Sequence, residues 1–254
     1  MKYLKMDFSN ISELEINEIP LYMIEPINAN DNTKNIIFYH GWSSDAKGQI
    51  FRGNIFASYG YRVFLPDAIH HGRRGKLDYD NDPRRGSYFL ECIYKNLKES
   101  QDLLSYIKEN YKGEIGIAGH SMGAISSACI YNIHKDFKIA FIYNGIIDYE
   151  YLVNQSIDKN EDDFESIKKI KDYLLEVNPM KNKENFIDRP LVLFNGDEDK
   201  IINPDVEERC ANELKKIYKN KELLNFDRFD LTTHQLIMPM IEEALIFAKE
   251  KIKF

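Results

Sequence analysis

Apolar and polar positions along this chain fall into blocks. Short continuous apolar runs, typical of strands buried on both faces, are separated by longer amphipathic stretches with helical spacing. The apolar runs predict strands at 35–40, 61–66, 114–118, 138–143, 190–195 and 222–229. The remaining stretches predict helices at 47–59, 87–111, 124–130, 164–177, 204–218 and 236–251. This alternation predicts an α/β fold with a mostly parallel central sheet of about eight strands and helices on both faces.

Two segments depart from the alternation. Residues 14–25, with a proline at Pro20, predict a polar hairpin or a pair of edge strands near the N-terminus. The connection at 149–189 is longer than one crossover requires, and long connections in compact domains are often functional. We therefore expect one domain over 1–254, with a small cap or lid inserted at about 149–189; a crossover helix with an acidic lead-in is the alternative.

A G-x-S-x-G motif lies between a predicted strand and a predicted helix. It reads Gly119-His120-Ser121-Met122-Gly123. In this context the serine sits on a sharp strand-to-helix turn, which exposes its hydroxyl at the edge of the sheet. The spacing therefore predicts Ser121 as a nucleophile.

A serine nucleophile needs a base, and the base needs a carboxylate to orient it. In this topology the acid and then the histidine follow the serine along the chain. Of the three acids in the turn after strand 190–195, the spacing from Gly196 favours Asp199, with Asp197 as the alternative. His234 is the only histidine after this turn, so it is the predicted base.

An acyl-transfer enzyme also needs backbone N–H groups that stabilise the oxyanion. Met122 follows the predicted nucleophile, and His40-Gly41-Trp42 follows the strand at 35–40. The expected donors are the N–H groups of Trp42 and Met122. The Trp42 side chain is free to pack as a core residue, because only its backbone is used.

With these motifs the chain resembles the α/β-hydrolase superfamily. It is similar to the prolyl-oligopeptidase-like and dienelactone-hydrolase-like bacterial esterases, and the similarity runs through nearly the whole chain. It implies a triad of Ser121, Asp199 and His234, and an oxyanion hole of Trp42 and Met122. Candidates for the substrate pocket are four residues beside these motifs: His40, Gly41, His71 and His120.

The segment 67–74 clusters two histidines and two arginines after the strand at 61–66. One interpretation is that His71 and an arginine shape the pocket or bind a substrate carboxylate. The other is that the segment anchors its own loop. No acid or cysteine completes a metal-ligand spacing around these histidines, so we expect no metal and no cofactor.

Composition narrows the function classes. The net charge of −7 argues against nucleic acid as a partner. Three widely separated cysteines indicate neither disulfides nor a zinc site. The sequence lacks an apolar run long enough for a secretory signal or a membrane span, so a cytoplasmic location is expected. Nothing in the sequence indicates an oligomeric state.

The favoured function is a serine carboxylesterase that cleaves small-molecule esters through an acyl-enzyme intermediate. The same machinery could cleave thioesters or short peptides. A hydrolase-fold protein that only binds a small molecule is the alternative from another class. Such proteins usually lack a triad member, whereas all three are present here.

Overall fold

The computed structural model describes residues 6–155 and 165–254, and an eight-stranded sheet lies at the centre of this part of the chain. The strand order is β1-β2-β4-β3-β5-β6-β7-β8. The strands are β1 (Ser9–Ile16), β2 (Ile19–Pro26), β3 (Asn35–Tyr39), β4 (Arg62–Pro66), β5 (Ile115–His120), β6 (Phe137–Tyr143), β7 (Leu191–Gly196) and β8 (Leu224–Phe229). The sheet predicted from the apolar runs is confirmed.

The helices connect these strands. They are α1 (Ile50–Ser58), α2 (Arg85–Asn110), α3 (Met122–Ile133), α4 (Tyr149–Gln155), α5 (Glu165–Glu176), α6 (Pro204–Ile217) and α7 (Met238–Phe247). A 3-10 turn at Lys47–Gln49 precedes α1, and a π-helical turn at Ala248–Ile252 follows α7. The sequence did not predict α4, because its seven residues are too short to show a helical period.

The N-terminal hairpin is the antiparallel part of the sheet. β1 pairs with β2 through a turn at Asn17 and Glu18, both with positive φ (46° and 66°), as a tight two-residue hairpin turn requires. β2 then pairs antiparallel with β4, and the remaining neighbours are parallel. The parallel strands end at the same edge of the sheet, where the predicted site residues follow them.

Side chains from the two faces of the sheet enter two different cores. In β3, Ile37 packs in the core that contains α2, α3 and α6, whereas Ile36 and Phe38 pack in the core that contains α1 and α7. This alternation follows from the period of two along a strand. It explains why the parallel strands are continuously apolar: each of their two faces is covered by helices.

The segment 149–189 contains α4 and α5, which pack against each other. The helix predicted at 164–177 corresponds to α5, although Phe164 itself and the acidic residues 161–163 lie outside the described residues. The segment ends in a 3-10 turn, Lys183–Phe186, before β7 begins.

Candidate active site

Ser121 lies on a strained corner between β5 and α3. Its φ of 55° and ψ of −122° are rarely adopted by a residue with a side chain, and they lift the hydroxyl out of the sheet. The corner demands glycine on both sides. A Cβ at Gly119 would lie 2.3 Å from the carbonyl carbon of Gly123, and a Cβ at Gly123 would lie 2.1 Å from the Tyr39 carbonyl oxygen.

The structure brings Ser121, His234 and Asp199 into one hydrogen-bonded chain. Ser121 Oγ lies 2.8 Å from Nε2 of His234, and Nδ1 of His234 lies 2.6 Å from Oδ2 of Asp199. Because a carboxylate oxygen accepts, Nδ1 carries the proton and Nε2 is free to accept from the serine hydroxyl. This is the geometry in which a serine is activated for nucleophilic attack.

Asp199 is buried, and its environment keeps it ionised. Oδ1 accepts hydrogen bonds from the N–H groups of Ile201 at 2.8 Å and Ile202 at 2.9 Å. Burial alone would raise the pKa of Asp199, but the hydrogen bonds from His234, Ile202 and Ile201 outweigh it, so the pKa lies below its usual range. A charged carboxylate here stabilises the imidazolium form of His234.

Asp197, the alternative acid, points elsewhere. Its carboxylate pairs with Arg228 at 2.6 Å on the exposed surface, in a cluster that Asp205 and Glu208 share. The two loops that carry the acid and the base are nevertheless joined at this point, because the N–H of Asp197 donates to the carbonyl of Phe229 and that of Glu198 to the carbonyl of Thr232. Geometry therefore favours Asp199 over Asp197.

Of the two residues expected to stabilise an oxyanion, Met122 follows Ser121 in the chain, and Trp42 follows Gly41, where an added Cβ would lie 3.3 Å from Ser121 Cβ. Met122 is the first residue of α3, so its N–H has no intrahelical partner. Trp42 lies in a turn closed by a hydrogen bond from the N–H of Ser44 to the carbonyl of Gly41. Its indole packs edge-on against three aromatic rings, those of His71, Tyr79 and Phe89. The side chain therefore packs against other aromatic rings, as the sequence allowed for a residue expected to act only through its backbone.

Two of the pocket candidates lie beneath this turn. His40 is only 2% exposed; Nδ1 donates to the Gly41 carbonyl and Nε2 accepts from the Ala68 N–H. His71 is fully buried and donates from Nδ1 to the Ile69 carbonyl. Burial lowers the pKa of both, that of His71 to about 4, so both stay neutral. Both rings are buried, and the His71 ring packs against the rings of His40 and Trp42, so the two histidines support the turn.

The other two candidates lie against the nucleophile and the base. The ring of His120 packs 5.2 Å from that of His234, and its Nε2 lies 3.4 Å from the side-chain nitrogen of Asn144. Burial, followed by the neighbouring His234, lowers the pKa of His120 to about 3. A Cβ at Gly41 would lie 3.3 Å from Ser121 Cβ, so the backbone of Gly41 approaches the nucleophile closely.

The segment 67–74 holds its own loop together. Asp67 accepts from Arg73 Nε at 2.8 Å and from the Ala46 N–H at 2.8 Å. Arg74 forms a two-pronged pair with Glu99 at 2.7 Å. Both guanidinium groups are thus committed to carboxylates of the protein. Of the two interpretations offered by the sequence, the structure favours anchoring over recognition of a substrate carboxylate.

Sequence reasoning missed the walls of a cavity of about 590 Å³ beside Asp199. Its apolar lining comes from α2, the loop after β6, α4 and the loop after β7: Phe89, Ile146, Tyr151, Leu152, Ile201 and Ile202. Of the three predicted triad residues, Asp199 lines this cavity. Only the length of 149–189 hinted at it.

Other kinds of site are not evident in the parts of the chain that the structure covers. Over 6–155 and 165–254, no three His, Cys, Asp or Glu side chains converge in a way that could hold a metal ion. The helices described above include none with the length and apolar character to cross a bilayer. Cys92, Cys129 and Cys210 are buried free thiols.

Known proteins resemble the chain over most of its length. The esterase YjfP of Escherichia coli (strain K12) is 24% identical over 250 residues, covering 95% of this chain and 99% of YjfP. TT1662 from Thermus thermophilus superimposes with a TM-score of 0.80 at 15% identity, covering 97% of this chain and 99% of that one. A cold-adapted esterase from an Arctic intertidal metagenomic library superimposes with a TM-score of 0.70 at 12% identity, covering 98% and 96%.

The two superpositions confirm the α/β-hydrolase fold, in agreement with the sheet order and the strained corner at Ser121. The model of the prolyl oligopeptidase family matches residues 77–245, which is more than half of the chain. Together with the esterase relative, this match confirms the interpretation of the protein as a serine hydrolase. The chain belongs to the prolyl oligopeptidase family.

Proposed function

We propose that the protein is a serine carboxylesterase that cleaves small-molecule esters with Ser121, His234 and Asp199 as its triad. The observation that carries the proposal is the hydrogen-bonded chain from Ser121 Oγ through both nitrogens of His234 to Asp199. It starts at a serine whose strained backbone holds the hydroxyl within hydrogen-bond distance of His234 at the sheet edge. The esterase name of YjfP supports the ester as the substrate class.

In the first half-reaction, Ser121 Oγ attacks the ester carbonyl while its proton moves to Nε2 of His234. The oxyanion receives hydrogen bonds from the N–H groups of Trp42 and Met122. The C–O bond to the alcohol then breaks, and His234 returns the proton to the leaving alkoxide. Asp199 accepts the hydrogen bond from Nδ1–H of His234 throughout and stabilises the imidazolium that forms.

In the second half-reaction, water replaces the alcohol. His234 takes a proton from the water as its oxygen attacks the acyl-enzyme carbonyl. The bond between the carbonyl carbon and Ser121 Oγ breaks, the proton passes from His234 to Oγ, and the carboxylic acid leaves.

The cavity beside Asp199 accommodates an apolar group of the ester. Its volume of about 590 Å³ lies within the range of pockets that enclose small molecules. Tyr151 and Leu152 of α4 form one wall, which supports the assignment of 149–189 as a cap on a single domain. A panel of esters lengthened separately on the acyl side and on the alcohol side identifies which group enters.

Labelling with a fluorophosphonate probe, with the modified residue located by peptide mass spectrometry, tests the triad. We expect one modified site, Ser121, and no labelling of the Ser121→Ala variant, whose fold and unfolding temperature stay unchanged. Ser126, a buried helix serine of α3, provides the matched control variant Ser126→Ala, which should still be labelled. Full esterase activity in Ser121→Ala would refute the proposal.

A second panel addresses the pocket. Tyr151→Ala widens the cavity, so KM should fall for longer or bulkier esters relative to short ones. Tyr59, which is 40% exposed at the end of α1 and outside the cavity, provides the control variant Tyr59→Ala. If KM depends on ester length in Tyr151→Ala as it does in the wild type, the substrate does not bind in this cavity.

The family also contains peptidases, so the panel includes a thioester and a short peptide amide as competing substrates. Tight binding of a ligand without turnover would favour the small-molecule binding protein instead. The net charge of −7 continues to disfavour nucleic acid as a partner. A cytoplasmic location stays a prediction.

A further inference from the structure

The peptide unit between Gly41 and Trp42 is held at its carbonyl end by two donors. The Gly41 oxygen accepts from Nδ1 of His40 at 2.8 Å and from the N–H of Ser44 at 3.2 Å. The Ser44 bond closes the turn, with Ser43 at a φ of 59°. The His40 bond comes from the side chain that immediately precedes the unit.

His40 has little freedom to change this contact. Its Nε2 accepts a hydrogen bond from the N–H of Ala68 at 3.0 Å, so the ring is clamped by backbone groups at both nitrogens. Since the Gly41 carbonyl only accepts and the Ala68 N–H only donates, the two partners select the neutral tautomer with the proton on Nδ1. The ring is 2% exposed, so water does not compete for either bond.

Holding the carbonyl also aims the N–H group at the other end of the same unit. A trans peptide is planar, and its C=O and N–H point in opposite directions. Fixing the direction of the Gly41 carbonyl toward His40 and Ser44 therefore fixes the direction of the Trp42 N–H away from them. This unit adjoins the nucleophile, since a Cβ at Gly41 would lie 3.3 Å from Ser121 Cβ.

We propose that His40 is a positioning residue for the oxyanion hole: its Nδ1–H orients the Gly41–Trp42 peptide so that the Trp42 N–H donates to the oxyanion formed on attack by Ser121. This role rests on the proposed serine esterase and goes beyond it, because it assigns a function to an imidazole that touches no substrate. The sequence made His40 a candidate for the substrate pocket; in this role it acts from beneath the turn instead.

Two variants separate this role from simple anchoring of the loop. In His40→Asn, the side-chain amide nitrogen lies near the former Nδ1 and can still donate to the Gly41 carbonyl, but the acceptor for Ala68 is lost. In His40→Gln, the longer side chain places an oxygen near the former Nε2 and keeps the Ala68 bond, but the donor to Gly41 is lost. Each variant loses one buried hydrogen bond, so their losses of stability should be similar.

We expect His40→Gln to lose about 10- to 100-fold in kcat with little change in KM, part of the loss of about 10²- to 10³-fold that follows removal of an oxyanion donor. His40→Asn should stay within a few-fold of the wild type. A trifluoromethyl ketone, whose adduct with serine places an oxyanion in the hole, should bind His40→Gln weakly and His40→Asn well. A merely structural role would weaken both variants alike, and that result would overturn the proposal.

The wild-type protein supplies a measurement that does not depend on a variant folding. Nitrogen-15 NMR of the imidazole should show His40 as the neutral tautomer protonated at Nδ1, and protonation at Nε2 would contradict the proposal. Fluorophosphonate labelling of the wild type distinguishes failure of the proposed function from failure of the role of His40. If Ser121 is not labelled, the proposed function fails; if it is labelled and His40→Gln keeps full kcat, only the role of His40 fails.

Discussion

Two loops at the same edge of the sheet each bury an aspartate, and they use it differently. Asp67 follows β4 directly and is 2% exposed; Asp199 lies in the turn after β7 and is 6% exposed. Asp67 pairs with the Arg73 guanidinium and with backbone N–H groups of its own surroundings. Asp199 pairs with an imidazole and with the N–H groups of Ile201 and Ile202.

The two aspartates differ in whether the group that donates to them can gain and lose a proton. A guanidinium is charged at every accessible pH, so the bond between Arg73 and Asp67 holds a loop in place and transfers no proton. An imidazole gains and loses a proton near neutral pH, so in the proposed mechanism the same kind of carboxylate beside it stabilises a charge that appears only during the reaction. The chemistry of each loop is thus set by the partner of the carboxylate rather than by its burial.

The largest expected effect comes from removing the charge of Asp199. Asp199→Asn should lower kcat by about 10⁴-fold, because the neutral amide neither holds the required tautomer of His234 nor stabilises its imidazolium. Steady-state kinetics on a short ester measures this loss, and thermal unfolding should show that the fold is kept.

Asp197→Asn is the matched control, two residues away in the same turn. Its carboxylate pairs with Arg228 on the surface, so kcat should change by less than about two-fold and stability by less than about 1 kcal/mol. If Asp197→Asn instead proved the more damaging variant, the acid would have to be reassigned to Asp197.

A third buried carboxyl, Glu207, sharpens the comparison because it has neither kind of partner. Oε2 accepts from the Ile147 N–H at 3.1 Å, and among the described residues Oε1 has no hydrogen-bond partner. Burial raises the pKa of Glu207 to about 8. The folded state therefore holds a proton that the unfolded chain releases near pH 4.5, and stability is lost as the pH rises from there to about 8.

Glu207→Gln should remove this loss, since the amide keeps an acceptor for Ile147 and has no charge to bury. Urea unfolding at a series of pH values should show the wild type losing on the order of several kcal/mol across this window, while the variant loses much less. Parallel curves for the two proteins would mean that Glu207 is not the group responsible.

Apart from the control variant Asp197→Asn, the smallest effect is expected at Asp67. Asp67→Asn leaves Arg73 without its full counter-charge, and should lower the free energy of unfolding by about 2 kcal/mol. The kcat of the folded fraction should stay within about ten-fold of the wild type, since the hydrogen bonds of the Asp67 carboxylate come from Ala46 and Arg73 and not from a triad residue. A loss of kcat as large as that of Asp199→Asn would mean that Asp67 does more than hold its loop in place.

Much of the fold could be predicted because its signals are local. Continuous apolar runs mark β3 to β7 since both faces of each strand are covered, and the amphipathic stretch before Gly113 marks α2. The short helix α4 escaped prediction because seven residues carry no clear period. Residues 156–164, which include the acidic residues 161–163, lie outside the described residues.

The sequence by itself determined the corner at Ser121 and the turn and loop that supply the proposed acid and base, because glycine spacing and strand ends are local properties of the chain. Only the tertiary structure decided which acid meets His234, which groups His40 contacts, and that Arg73 and Arg74 face carboxylates of the protein. These choices depend on hydrogen bonds between residues distant in sequence, whose directions are set by the packing of loops at one sheet edge. The cavity between α2, α4 and the loop after β7 belongs to the same class, since no single segment encloses it.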